Sequence, residues 1–175
     1  MILPLRYYGD PVLRKKALFV ESITEDVRKL VFNMIETMDA KKGVGLAANQ
    51  VGVLLKIFII RPEISNKDGD ISLGDPEVYI NPILSQPTQE TDFFSEGCLS
   101  FPGFHLDIER PKGIHIKAMN LEGQWFEEDI LGFKAREIMH ENDHLHGAFF
   151  IDRYKGSKKA IEPILRKLKK KYSST

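Results

Sequence analysis

Leu131-Gly132-Phe133-Lys134-Ala135-Arg136-Glu137-Ile138-Met139-His140-Glu141-Asn142-Asp143-His144-Leu145 is the stretch whose reading decides this chain. Its pattern predicts a helix over residues 131–145, with Gly147 just past the end as a stop. Helix positions four apart differ by about 40° around the axis, so the imidazoles of His140 and His144 can point at one ion, with Glu141 beside it as candidate base. The alternative is two surface histidines that fit a short pattern by chance, and the helical context argues against it. A catalytic zinc-type site has three protein ligands and one open position, so a third ligand must come from elsewhere. The metzincin completion needs a glycine, matched by Gly147, and then a histidine where this chain has Phe150.

The remaining candidate is Cys98, the only cysteine, in Ser95-Glu96-Gly97-Cys98-Leu99-Ser100-Phe101-Pro102-Gly103. A lone cysteine is an apolar filler, a nucleophile or a metal ligand, and composition alone favours the filler. A thiolate is a strong ligand for zinc or ferrous iron, and a neighbouring divalent ion promotes its deprotonation. Gly97 leaves the backbone free to approach closely. A third region, Gly43-Val44-Gly45-Leu46-Ala47-Ala48-Asn49-Gln50-Val51-Gly52, crowds small residues around a glutamine amide. Taken alone it reads as a tight helix-to-strand connection, and its glycines do not make a phosphate loop.

Working outward, Val27, Leu30, Val31, Met34, Ile35 and Met38 recur at helical spacing behind Thr24 and an acidic first turn, predicting an amphipathic helix over 24–41 ended by Gly43. The apolar run 56–60 predicts a buried strand, and 61–75 reads as a loop rich in Gly, Pro, Asp and Asn. Strands are expected at 77–84, 113–120 and 124–130, the last two joined by a hairpin at Leu121-Glu122-Gly123. The closing segment, from 157 to 171 or 172, is helical, with Pro163 starting or breaking it. The fold class is α+β: short, mostly antiparallel strands around a central helix bearing the His-Glu-x-x-His motif, with an N-terminal amphipathic helix and a C-terminal helix.

The 175 residues fit one domain with a real core. Lysine plus arginine number 25 and aspartate plus glutamate 25, so overall charge gives no argument for nucleic acid or a membrane surface. No basic segment followed by an apolar run opens the chain and nothing approaches the roughly 18 apolar residues of a membrane span, so the expectation is a cytoplasmic protein.

Together the three regions resemble peptide deformylase, whose motifs GxGLAAxQ, EGCLS and HExDH occur here in that order at positions 43–50, 96–100 and 140–144. The match extends through Arg110-Pro111 and the 147–153 segment, covering about residues 8–153. The resemblance implies a metal-dependent hydrolase that removes the N-formyl group from the initiating methionine of nascent polypeptides, releasing formate. It implies that Cys98, His140 and His144 hold the metal, that Glu141 is the acid/base, and that Gln50 with the Leu99 N–H stabilises the oxyanion. Val44, Gly45 and Gly97 are then substrate-binding, Gly45 because a side chain there would obstruct an extended peptide. It also implies ferrous iron as the working ion, while ligand softness alone admits zinc, nickel or cobalt.

Two departures stand out. Arg136 and Glu137 lie one turn before His140, where family members commonly place an apolar residue near the methionine pocket, and Met139 replaces a frequent glutamine. Asp143 has two readings, orienting a ligand or forming a helix-surface salt bridge, and Glu96 is open to a buried pairing with Arg110. The chain is expected to divide into a catalytic domain, 1–154, and a basic helical tail, 155–175. Between positions 155 and 171 eight lysines or arginines face one acid, Glu162. That tail reads either as a solvated helix or as a surface for ribosomal RNA near the peptide exit. Two competing classes remain: a general metallopeptidase, against which Cys98 argues, and a non-catalytic relative, against which Glu141 and Gln50 argue.

Overall fold

The computed structural model describes residues 1–65 and 67–172; position 66 of the expected loop and the last three positions of the expected tail lie outside the described residues. Helix α1 (Glu25–Ala40) is capped by Thr24, whose hydroxyl accepts from the Val27 N–H, with Glu25 and Asp26 in its first turn. A five-stranded antiparallel sheet follows the order β1 (Gly45–Ala47), β2 (Ile57–Ile60), β5 (Glu77–Ser85), β8 (Gly113–Met119), β9 (Trp125–Leu131). Strand β2 is buried at every position because both faces are covered. Its alternation sends Ile57 and Ile59 into a core with Val31, Met34 and Met38 of α1, and Phe58 and Ile60 into one with Ala135, Ile138 and Met139 of helix α2 (Phe133–Leu145).

Away from the sheet, α2 faces a long hairpin, β6 (Thr91–Cys98) and β7 (Phe101–Pro111), through Arg136 and His140. A third core joins this hairpin to the segments around α2: Phe101, Phe104 and Ile108 pack with Leu13, Phe149, Phe150 and Ile161, the last from helix α3 (Lys158–Tyr172). Helix α2 thus lies between sheet and hairpin, and its polar residues point into the gap.

The sequence-based expectations are corrected at several points. The left-handed residue after α1 is Lys42 (φ 55°), not Gly43. A Cβ at Gly43 would stand 2.7 Å from Leu99 Cδ1, so any side chain there would push the Leu99 side chain aside. The 61–75 loop contains a small exposed hairpin, β3 (Glu63–Ser65) and β4 (Ile71–Leu73), hidden by the turn-forming residues around it. Helix α2 starts at Phe133 because Leu131 is consumed by β9. Gly147 is the expected stop, at φ 71°, where a Cβ would meet the Arg14 carbonyl oxygen at 2.3 Å. Pro163 neither starts nor breaks α3: the helix begins upstream, with the Ala160 N–H donating to Ser157 Oγ, and Pro163 sits inside it.

Candidate metal and catalytic site

The hairpin end and α2 meet at Cys98. The Cys98 Sγ lies 3.3 Å from His144 Nε2. The ligand atoms of Cys98, His140 and His144 all fall within 4.8 Å of one another, close enough to share one ion. Cys98 is delivered by a register shift between Gly97 and Cys98 at the β6–β7 turn, which re-aims the side chain. The histidines come from successive turns of α2. Phe150, the residue that rules out the metzincin pattern, stacks its ring on His140 at 5.8 Å between centroids.

A buried charge network fixes these pieces. Glu96 Oε2 is 2.9 Å from His140 Nδ1, which leaves Nε2 as the ring nitrogen free to serve as a ligand. Arg110 clamps the same carboxylate with both fork nitrogens, at 2.6 and 3.0 Å, and reaches Asp143 Oδ2 at 3.0 Å. Arg153 holds Asp143 from the other side at 2.6 Å. The Glu96–Arg110 pairing left open by the sequence is therefore present, and Asp143 is tied into the same network rather than into a surface salt bridge. Arg136 belongs to it too, donating to Glu96 Oε1 at 2.8 Å, to the Ile108 carbonyl at 2.8 Å and to Asp92.

Gln50 sits in a buried 3-10 turn, Ala48–Val51. Its Oε1 accepts from the Ala47 N–H at 2.9 Å, which assigns Nε2 to the other side, 3.0 Å from Ser100 Oγ and 3.4 Å from Cys98 Sγ. Ser100 is fully buried, and the sequence reading gave it no role although it lies inside the EGCLS motif. Glu141 Oε1 packs against Gly45, where an added Cβ would stand 2.3 Å away. A side chain at position 45 would therefore displace the Glu141 carboxyl. Glu141 Oε2 is buried with no hydrogen-bond partner among the described residues.

The electrostatics separate these groups. Burial would raise Glu96, but His140 and Arg110 outweigh it and hold the carboxyl at about 2. Burial pushes Glu141 up to about 7. Burial also favours neutral His140, yet its hydrogen bonds to Cys98 and Glu96 carry it well above the usual imidazole value. Burial and the neighbouring His140 charge keep His144 well below that value. The site opens into a cavity of about 540 Å³ lined by Val44, Gly45, Leu99, Phe133, Glu137 and the site residues. Tyr7 and Tyr172 also line it, stacked at 4.3 Å, so α3 contributes to its wall.

One cysteine sulfur, two imidazoles and a carboxyl poised near neutrality, in a concave pocket, are what a metal-dependent hydrolase requires. Comparison with known proteins narrows that class. Residues 2–160 match the family model of polypeptide deformylase. The peptide deformylase of Pseudothermotoga lettingae is 38% identical over 99% of this chain and 98% of its own length. That of Methylacidiphilum infernorum is 41% identical over 97% and 94%. The crystal structure of peptide deformylase from Ehrlichia chaffeensis superposes with a TM-score of 0.89 at 34% identity, covering 99% of this chain and 98% of the other. The chain belongs to the peptide deformylase family, metal-dependent enzymes that remove the N-formyl group from nascent peptides.

Proposed function

We propose that Cys98, His140 and His144 hold the metal, that Glu141 is the acid/base, and that Gln50 Nε2 and the Leu99 N–H meet the charge developing on the formyl oxygen. The observation that carries this reading is the convergence of three ligand atoms within 4.8 Å beside an unpartnered Glu141 oxygen. A sulfur and two imidazoles suit a borderline-soft divalent ion. When bound there, such an ion lowers the pKa of its water and polarises the formyl carbonyl. Ferrous iron is the working ion in this reading, and zinc, nickel or cobalt fit the same ligands.

Glu141, near neutrality, takes a proton from the attacking water and later gives it to the departing amine nitrogen, leaving formate and a free N-terminus. Gln50 is pre-aimed by the Ala47 and Ser100 contacts, so donating to the formyl oxygen needs no reorganisation. Strand β1 is a sheet edge on the cavity side, and an extended peptide would lie along Val44 and Gly45 with Gly97 opposite. The central position of α2, which carries both histidines and Glu141, is part of the same reading.

We also take residues 1–154 as the catalytic unit and 155–175 as a basic tail that docks on ribosomal RNA. Support comes from the exposed lysines of α3 and from the Tyr7–Tyr172 stack that joins this helix to the cavity mouth. A cytoplasmic location follows from a substrate that is a chain still being made. No helix among the described residues is long and apolar enough to cross a membrane. The test is formate release from an N-formylmethionyl peptide by metal-loaded protein, with Glu141→Ala as control. Formate from the wild type alone supports the reading, and none from either overturns it.

A further inference from the structure

The cavity contains a polar group that the deformylation step does not use. Glu137 is 6% exposed, lines the cavity, and both carboxyl oxygens are buried with no hydrogen-bond partner among the described residues. Its neighbour Arg136 is fully engaged by Glu96, Asp92 and Ile108, so the two charged residues that break the usual apolar pattern have different fates. Leaving a carboxyl buried and unpaired is costly, and such groups persist where a ligand supplies the partner.

Glu137 lies four residues before Glu141 on α2, about 6 Å along the axis and on the same face. The scissile nitrogen must sit beside Glu141. The side chain of the first residue branches from the adjacent carbon, and a methionine side chain is long enough to cover one turn. Phe133, Leu99 and Val44 supply apolar wall around the cavity, which leaves the Glu137 carboxyl as a polar group that its far end can meet. Burial, reinforced by Glu141, Glu63 and Glu77, pushes Glu137 up to about 8, so it carries its proton at neutral pH and acts as a donor. The methionine thioether sulfur is a weak acceptor, whereas a methylene in its place accepts nothing.

We propose that Glu137 is a specificity-determining residue, whose carboxyl donates a hydrogen bond to the thioether sulfur of the substrate's first residue and so separates methionine from its aliphatic isostere. This inference rests on the reading of the cavity as the substrate site.

The experiment compares kcat/KM for N-formyl-Met-Ala-Ser and N-formyl-norleucyl-Ala-Ser on metal-loaded wild type, Glu137→Gln and Glu137→Leu. The wild type is expected to favour the methionyl peptide by roughly fivefold, the worth of one modest hydrogen bond. Glu137→Gln, which retains a donor, is expected to keep that preference. Glu137→Leu is expected to bring the ratio to about one, the change falling in KM because the contact is the same in ground and transition states. A methionyl-to-norleucyl ratio that is unchanged in Glu137→Leu overturns the inference while leaving the site reading intact. Absence of formate from both peptides with every protein overturns the site reading and the inference with it.

Discussion

Glu96 and His140 meet within the core, Oε2 to Nδ1 at 2.9 Å, although they are 44 residues apart in the chain. The carboxylate belongs to the hairpin and the imidazole to α2, so one contact both orients a proposed metal ligand and locks two elements together. Glu96→Gln is expected to weaken metal retention by about 10- to 100-fold, measured by competition with a chelator. Unchanged retention would mean that the ring is held by packing on Phe150 alone.

The same residue sets an acid limit. The Glu96 carboxyl is held at about 2 in the fold against an ordinary 4.5, so its contribution is fully present above about pH 4.5 and is lost as pH falls through about 2. In metal-free protein that contribution is about 3 kcal/mol. Denaturation followed from pH 5 to pH 2 is expected to show a steeper loss in wild type than in Glu96→Gln. Parallel curves would contradict the assignment.

Glu137 acts with the opposite sign. Its folded value, about 8, lies above the ordinary 4.5, so the unfolded chain loses its proton first and stability falls as pH rises from 4.5 through 8. Glu137→Leu is expected to be more stable than wild type at pH 8 by a few kcal/mol, with the pH-dependent part of that advantage vanishing toward pH 4.5. Urea titrations at the two pH values measure it, and an equal difference at both would refute the buried, unpartnered carboxyl.

Gly45→Ala probes the Glu141 side of the site. A Cβ at position 45 would stand 2.3 Å from Glu141 Oε1, so the carboxyl must swing away. Formate release is expected to fall on the order of 100-fold with the melting temperature nearly unchanged, since a misplacement of about 1 Å costs that much. A rate within twofold of wild type would show that Glu141 works from another position.

For the tail, removal of residues 155–175 is expected to abolish salt-sensitive co-sedimentation with ribosomes. Binding that survives both the truncation and raised salt would exclude docking through α3.

Much of the site was legible in the sequence because its chemistry is local. His140, Glu141 and His144 share one helix, and the lone Cys98 was the candidate ligand left over, which the fold brings beside the two histidines. Less legible was what holds them. Arg110, Arg136, Asp143 and Arg153 pair across 10 to 44 positions, and nothing in residue spacing announces a bond between separate elements. The β6–β7 hairpin escaped notice for a related reason: positions 91–95 are all exposed, so no alternation marks β6, and β7 opens on Phe-Pro-Gly, which reads as a turn. Arg136 and Glu137 looked like equivalent intrusions of charge. Only the packing shows that one is satisfied and the other is not.

The central claim is that Cys98 completes a metal site with His140 and His144, and metal content tests it most directly. Wild type and Cys98→Ala, both purified without oxygen and loaded with ferrous iron, are to be analysed for iron per chain alongside formate release from an N-formylmethionyl peptide. The account predicts about one iron per wild-type chain with formate release, and loss of both in the variant. Full iron occupancy and undiminished formate release in Cys98→Ala would contradict it.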